Sequence, residues 1–264
     1  MNFENAILSL SGLILVAIGI ASSPAQQTTD LNAEVDAMLE IGVPEDANAP
    51  AEKKAPSDRL PNVLLIGDSI AGGYLGGVQS RLKGVAHVER GNSGGTTQNG
   101  LESIERILGE REWEVIHFNW GLHDMTWQRR MKPEERGIQG YAARLEQLVT
   151  RLRETNASLV WATTTPWPEN NYAYYEQRFG EKLRYSPAEE RQWRDAALAV
   201  IQKHQIPVND LHALLKSDLE TYQKTDDVHF TREGNRAMAE QITKVVRAML
   251  PQAQEEDKEP SSTD

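Results

Sequence analysis

Residues 62–69 read Asn62-Val63-Leu64-Leu65-Ile66-Gly67-Asp68-Ser69. A short unbroken apolar run closed by glycine is the pattern of a strand buried on both faces, because a half-exposed strand would alternate with polar residues. Asp-Ser directly after the glycine reads as a helix start, since short polar side chains satisfy the unpaired N–H groups there. Working outward, further strands are expected at Val85–Glu89, Val115–Trp120, Ser158–Thr163 and Ile206–Val208. Between them, apolar residues recur at helical spacing. Tyr141, Leu145, Leu148 and Leu152 form one stripe, Trp193, Ala197, Leu198 and Ile201 a second, and Ala237, Ile242, Val245, Val246 and Leu250 a third.

Strands alternating with helices predict a parallel sheet covered on both faces. The expected architecture is a flavodoxin-like three-layer α/β/α sandwich with about five parallel strands. The chain has 264 residues, 39 % apolar and 25 % charged. Its formal net charge of −11 is concentrated in the ends: −5 in residues 26–60, −4 in 251–264 and −1 at Glu4, leaving −1 for 61–250. A nearly neutral core with no basic run argues against a nucleic-acid partner. The absence of cysteine excludes disulfides, thiolate metal sites and a cysteine nucleophile.

Four segments follow. Residues 1–25 hold an apolar run from Ala6 to Ile20, shorter than the roughly 20 residues that span a bilayer comfortably. With Ser23-Pro24-Ala25 as a small-residue cleavage site, the run reads as a signal peptide, or as an amino-terminal anchor since no Lys or Arg precedes it. Export to a periplasmic or extracellular location is the expectation, with no stable membrane partner unless that segment is retained. Residues 26–60 read as a disordered linker with one short helix near 30–41. Residues 61–250 form the folded domain, and 251–264 an acidic tail.

In parallel α/β sheets sites form at the carboxyl ends of the strands. The residues there are Gly67-Asp68-Ser69, Gly91-Asn92-Ser93-Gly94, Gly121-Leu122-His123-Asp124 and Thr164-Thr165-Pro166, joined by Asp226-Asp227-Val228-His229 before the last helix. Ser69 at a strand-to-helix turn suits a nucleophile, because its own amide lacks a helical acceptor; it equally suits a helix cap. A serine nucleophile needs an imidazole base and a carboxylate that orients the imidazole, and Asp226 and His229 offer both on one turn.

Taken in order, these four blocks resemble the SGNH/GDSL hydrolase family of esterases and acylhydrolases over roughly residues 61–249. The resemblance implies Ser69 as nucleophile and Asp226 and His229 as its triad partners. It implies an oxyanion hole built from the Ser69 and Gly94 amides and a third donor, for which the family uses asparagine in Gly-x-Asn-Asp. This chain has His123 there. Imidazole can donate one N–H, or a charge-assisted one when protonated, so His123 is expected as that donor, in a different catalytic duty, or as a structural residue. Asp124 is expected to hold the loop or fix the His123 ring.

Several rivals share these residues. Gly91-Asn92-Ser93-Gly94-Gly95 matches the Gly-x-Ser-x-Gly elbow of another hydrolase class, but a nucleophile at Ser93 would leave Gly67-Asp68-Ser69 without a role. His123, Asp124, Asp226 and His229 could form a metal site, although no His-x-x-x-His pair is present and the serine would then be idle. The expectation is no metal and no cofactor. Trp120, Trp127 and Trp167, with the aromatic run to Tyr185, are candidates for substrate contact or a lid, or for ordinary packing. The reading is a serine esterase or acylhydrolase acting on a small-molecule or carbohydrate ester. An O-acetylated carbohydrate is a candidate substrate, with an acyltransferase or a non-catalytic ligand-binding domain as alternatives.

Overall fold

β1 (Asn62–Gly67) is buried along its whole length, and its side chains alternate between two separate cores. This is a computed structural model, and it describes residues 59–126, 131–168 and 187–251. Val63 and Leu65 point to one side of the sheet. There they meet Ile70, Ala71, Tyr74 and Val78 of α1 (Ser69–Arg81) and Met238, Ala239, Ile242 and Val246 of α8 (Arg232–Met249). Leu64 and Ile66 point to the other side, against α2 (Thr97–Leu108), α4 (Gly137–Arg153) and α5 (Pro187–Lys203). One strand thus feeds both cores, which is why its sequence cannot alternate.

The sheet has five strands, all parallel, in the order β2-β1-β3-β4-β5. The others are β2 (His87–Asn92), β3 (Val115–Phe118), β4 (Ser158–Ala162) and β5 (Val208–Asn209). The expected three-layer α/β/α arrangement is present. Strand order reverses between β1 and β3, the switch point where such sheets open a crevice.

Strand limits differ from the sequence reading by a few residues, for local reasons. β2 starts at His87 because a turn bonds Val85 and Ala86 N–H back to Leu82 O; it then runs on to Asn92. β3 ends at Phe118. Beyond it Asn119 Nδ2 reaches across to Ala162 O at 2.8 Å, and Trp120 folds into the core ahead of the short helix α3 (Leu122–Thr126). Two short helices, α6 (Leu211–Lys216) and α7 (Leu219–Tyr222), lead from β5 toward α8.

The α1 sequence Ser-Ile-Ala-Gly-Gly-Tyr-Leu-Gly-Gly is a poor helix former, at roughly 0.5–1 kcal/mol per internal glycine. Packing explains part of it. A Cβ on Gly73 would lie 2.3 Å from Asn235 Oδ1, and one on Gly77 2.7 Å from Ala239 Cβ. The two glycines, four apart, therefore form the strip on which α8 rests, and α8 carries the histidine loop. No helix among the described residues is long and apolar enough to cross a membrane. The segments 1–25 and 26–58, the tail from 252, Trp127 and the aromatic stretch from 169 to 186 lie outside the described residues.

Candidate active site

The crevice is built from the turn after β1 and the loop before α8. Asp68 caps α1: its Oδ1 accepts the Ile70 N–H at 2.9 Å. Ser69 is therefore the first helical residue, exposed, with an N–H that has no acceptor inside the helix.

The histidine loop is a small closed hairpin. Gln223 bridges to Phe230, Lys224 N–H donates to His229 O at 3.0 Å, and Asp227 N–H donates to Lys224 O at 3.3 Å. Gln223 Nε2 ties this loop to the one after β4 by donating to Pro166 O at 2.9 Å, out of contact with water. Thr231 then caps α8 through Gly234 N–H. His229 thus stands on a loop fastened at both ends.

His229 Nε2 lies 2.9 Å from Ser69 Oγ. On the other side of the ring, Nδ1 lies 2.7 Å from Asp227 Oδ1, which also accepts the His229 backbone N–H at 3.2 Å. An ionised carboxylate only accepts, so the ring proton sits on Nδ1 and the Nε2 lone pair faces the serine hydroxyl. Burial would raise the Asp227 carboxyl, but the bonds from the His229 ring and amide, with nearby Lys224, hold it below the usual carboxylate range.

The carboxylate against the His229 ring is therefore that of Asp227, one residue later than the expected Asp226. The turn over 224–227 puts Asp226 in the left-handed region (φ 53°) and leaves it exposed. The Asp-x-x-His spacing assumes a regular turn. Here the Asp227 side chain folds over the His229 amide, and the effective spacing is two.

Two of the three expected oxyanion donors, Gly94 and His123, are engaged elsewhere in this structure. Gly94 N–H donates to Asn92 Oδ1 at 3.1 Å, and Gly94 O accepts Asn99 Nδ2 at 2.7 Å. His123 Nε2 lies 3.2 Å from Asp68 Oδ2. Its ring packs against Gly95, where a Cβ would lie 3.0 Å from the imidazole. Burial works to raise the Asp68 carboxyl, yet the bonds from His123 and the Ile70 N–H leave it below its ordinary value. The carboxylate of Asp124 holds the loop. Fully buried, it accepts Thr97 N–H at 2.8 Å, Thr97 Oγ1 at 2.5 Å and an Arg144 amine at 3.4 Å, pinning the start of α2 to the β3 loop.

Other candidates fall into the packing. Ser93 is 1 % exposed; its N–H donates to Gly67 O, its Oγ accepts Gly95 N–H, and its O accepts Trp120 Nε1 at 3.1 Å. Trp120 (1 % exposed) and Trp167 (5 %) are core residues, not an exposed platform for substrate. His123 and Asp124 are bound to different partners. Among the described residues no three His, Asp or Glu side chains form a group able to hold a metal. Sequence reasoning missed two site residues, Asp227 and Asp68, both directly beside residues it named.

Residues 65–237 match the GDSL-like lipase/acylhydrolase family. Solved structures share the fold at low identity. The lipase/acylhydrolase from Enterococcus faecalis aligns with TM-score 0.58 and 17 % identity over 74 % of this chain and 100 % of its own. The aryl esterase of M. smegmatis gives 0.57 and 17 %, over 72 % of this chain and 100 % of its own. The acetyl xylan esterase AlAXEase gives 0.54 and 18 %, over 70 % of this chain and 99 % of its own. No curated protein matches the chain in sequence. With the family's sequence pattern spanning most of the folded region, the chain belongs to the GDSL-like lipase/acylhydrolase family.

Proposed function

We propose that the protein is a serine esterase that cleaves a carboxylic ester through an acyl-enzyme on Ser69. His229 Nε2 takes the hydroxyl proton as Oγ attacks the ester carbonyl, and Asp227 stabilises the imidazolium that forms. The Ser69 N–H meets the oxyanion, joined by Gly94 N–H once the ester oxygen displaces Asn92 Oδ1. The imidazolium then protonates the leaving alcohol. Water, deprotonated by the same ring, attacks the acyl carbonyl and releases the acid and free Ser69.

The observation that supports this reading best is the unbroken relay from Ser69 Oγ through His229 to Asp227, at 2.9 and 2.7 Å. A fluorophosphonate probe tests it. One adduct on Ser69, absent from Ser69→Ala, is expected; folded protein that stays unlabelled, or an adduct on Ser93, overturns it. The substrate class follows from a hydrolysis screen over short-chain, long-chain, thioester and O-acetylated sugar substrates, with the acetylated carbohydrate as our first choice. We also propose that residues 1–25 direct export, which fractionation of cells expressing the full chain would test.

A further inference from the structure

The family's third-block asparagine is His123 here, and the structure shows where that imidazole goes. His123 Nε2 is 3.2 Å from Asp68 Oδ2, while the other oxygen of the same carboxylate caps Ile70 N–H at 2.9 Å. Both side chains are largely shielded, at 20 % and 14 % exposure. Asp68 is thus gripped at both oxygens, and Ser69 is the next residue. The imidazole ring in turn is seated on Gly95, where even a methyl group would be crowded. Gly95 N–H is itself held by buried Ser93 Oγ at 3.2 Å.

We propose that His123 is a positioning residue that acts through Asp68, clamping the turn that carries Ser69 to the loops after β2 and β3, and does not itself donate to the oxyanion. The inference rests on Ser69 being the nucleophile. The clamp works because a cap alone fixes only one oxygen of Asp68 and leaves the carboxylate free to swing about it. The His123 bond removes that freedom. With it go rotations of the Asp68–Ser69 peptide, whose N–H is the Ser69 amide that meets the oxyanion.

The two roles for His123 predict opposite rescues. A glutamine amide nitrogen falls near the position of Nε2, whereas an asparagine amide nitrogen falls nearer that of Nδ1. As a clamp, His123→Gln can still donate to Asp68 and His123→Asn cannot. As an oxyanion donor, His123→Asn would restore the family's own group.

The experiment measures the burst-phase acylation rate constant and KM with p-nitrophenyl acetate, together with fluorophosphonate labelling of Ser69. The variants are His123→Ala, →Asn and →Gln, Asp68→Ser, and His123→Ala combined with Asp68→Ser. Asp68→Ser keeps a good helix cap but has no second polar atom to reach His123, so it removes the clamp even if a His123 variant folds poorly. His123→Ala, His123→Asn and Asp68→Ser are each expected to lose about 10- to 100-fold in acylation rate, the scale of a small misplacement of reacting groups, with little change in KM. The double variant should be no worse than either single within about two-fold, since the pair acts as a unit. His123→Gln should recover at least about ten-fold over His123→Ala. Asparagine rescuing better than glutamine, additive losses, or near-wild-type rates in every variant would overturn the clamp while leaving the nucleophile in place. Wild-type protein that takes no label on Ser69 would overturn both.

Discussion

Asp227→Asn separates charge from geometry in the proposed triad. Both bonds from His229, at 2.7 Å from the ring and 3.2 Å from the amide, go to the same oxygen, Oδ1. An asparagine placed with its carbonyl oxygen there keeps both bonds and the Nδ1–H tautomer. Only the negative charge is lost. Opposite unit charges at about 4 Å are worth roughly 4 kcal/mol at an effective dielectric constant near 20 and roughly 1 kcal/mol in bulk water. His229 and Asp227 are 40 % and 35 % exposed, between those limits. The loss of imidazolium stabilisation should be about 2–3 kcal/mol, on the order of 10²-fold in kcat. Asp227→Ala also frees the ring to rotate and change tautomer, and should approach the ~10⁴-fold loss that follows when a triad imidazole takes the wrong tautomer. Asp226→Asn, in the exposed turn, should stay within about two-fold. Steady-state and burst kinetics on p-nitrophenyl acetate for the three variants decide the matter. A larger loss in Asp226→Asn than in Asp227→Asn, or Asp227→Ala at wild-type rate, would refute the assignment.

Burial lowers the His117 pKa from 6.5 to about 4, so the folded protein keeps this ring neutral while the unfolded chain binds a proton below 6.5. Stability is complete above pH 6.5 and is lost as pH falls toward 4. By pH 5 this one group should cost about 2 kcal/mol, and urea melts of wild type and His117→Gln at pH 7.5 and 5 should show a smaller loss in the variant. Ser93→Ala should keep Ser69 labelling intact and cost about 1 kcal/mol of stability, the worth of a lost hydrogen bond at Gly95 N–H; loss of labelling in folded protein would count against Ser69. On α1, Gly76 has open space and Gly77 does not, so Gly76→Ala should raise the melting temperature through helix propensity. Gly77→Ala should lower the stability by about 1–3 kcal/mol through overpacking on Ala239, and equal shifts in melting temperature would refute that packing account.

The fold was legible because β1 is read twice: Val63 and Leu65 face one core, Leu64 and Ile66 the other, and only a strand central to a covered sheet asks for that run. The pairing of Ser69 with His229 was legible for a related reason, since a parallel sheet gathers the loops that leave its strands at one edge. The orienting carboxylate was not. Asp226 and Asp227 are the same residue type side by side, and a left-handed turn residue decides which one reaches the ring. Trp120 and Trp167 were ambiguous because an aromatic beside a catalytic loop has the same sequence signature whether it meets substrate or closes the core behind the loop. His123 was visible as a departure, but its partner could be found only once the Asp68 cap and the β3 loop were seen to face each other.

Each loop of the site is fastened by a polar contact away from the reacting atoms. Asp124 binds the start of α2 through Thr97 and is countered by Arg144, which also reaches Glu135 O at 2.8 Å. Gln223 holds the histidine loop to Pro166 O, and Asn119 holds the β3 end to Ala162 O and Thr164. These bonds do not depend on a substrate, so most of the ordering cost is met during folding, as preorganised catalysis requires. The contacts that a substrate would disturb are the exposed ones, Asn92 on Gly94 N–H above all. Removing that side chain with Asn92→Ala therefore separates the two sets: it leaves the buried tethers intact and frees an oxyanion donor. If Gly94 serves the oxyanion, Asn92→Ala should leave kcat within about three-fold on p-nitrophenyl acetate. A loss of 10²-fold or more, the scale of a missing donor, would mean that Asn92 holds Gly94 in its φ 71° conformation and that this conformation, not the free N–H, is what the reaction needs.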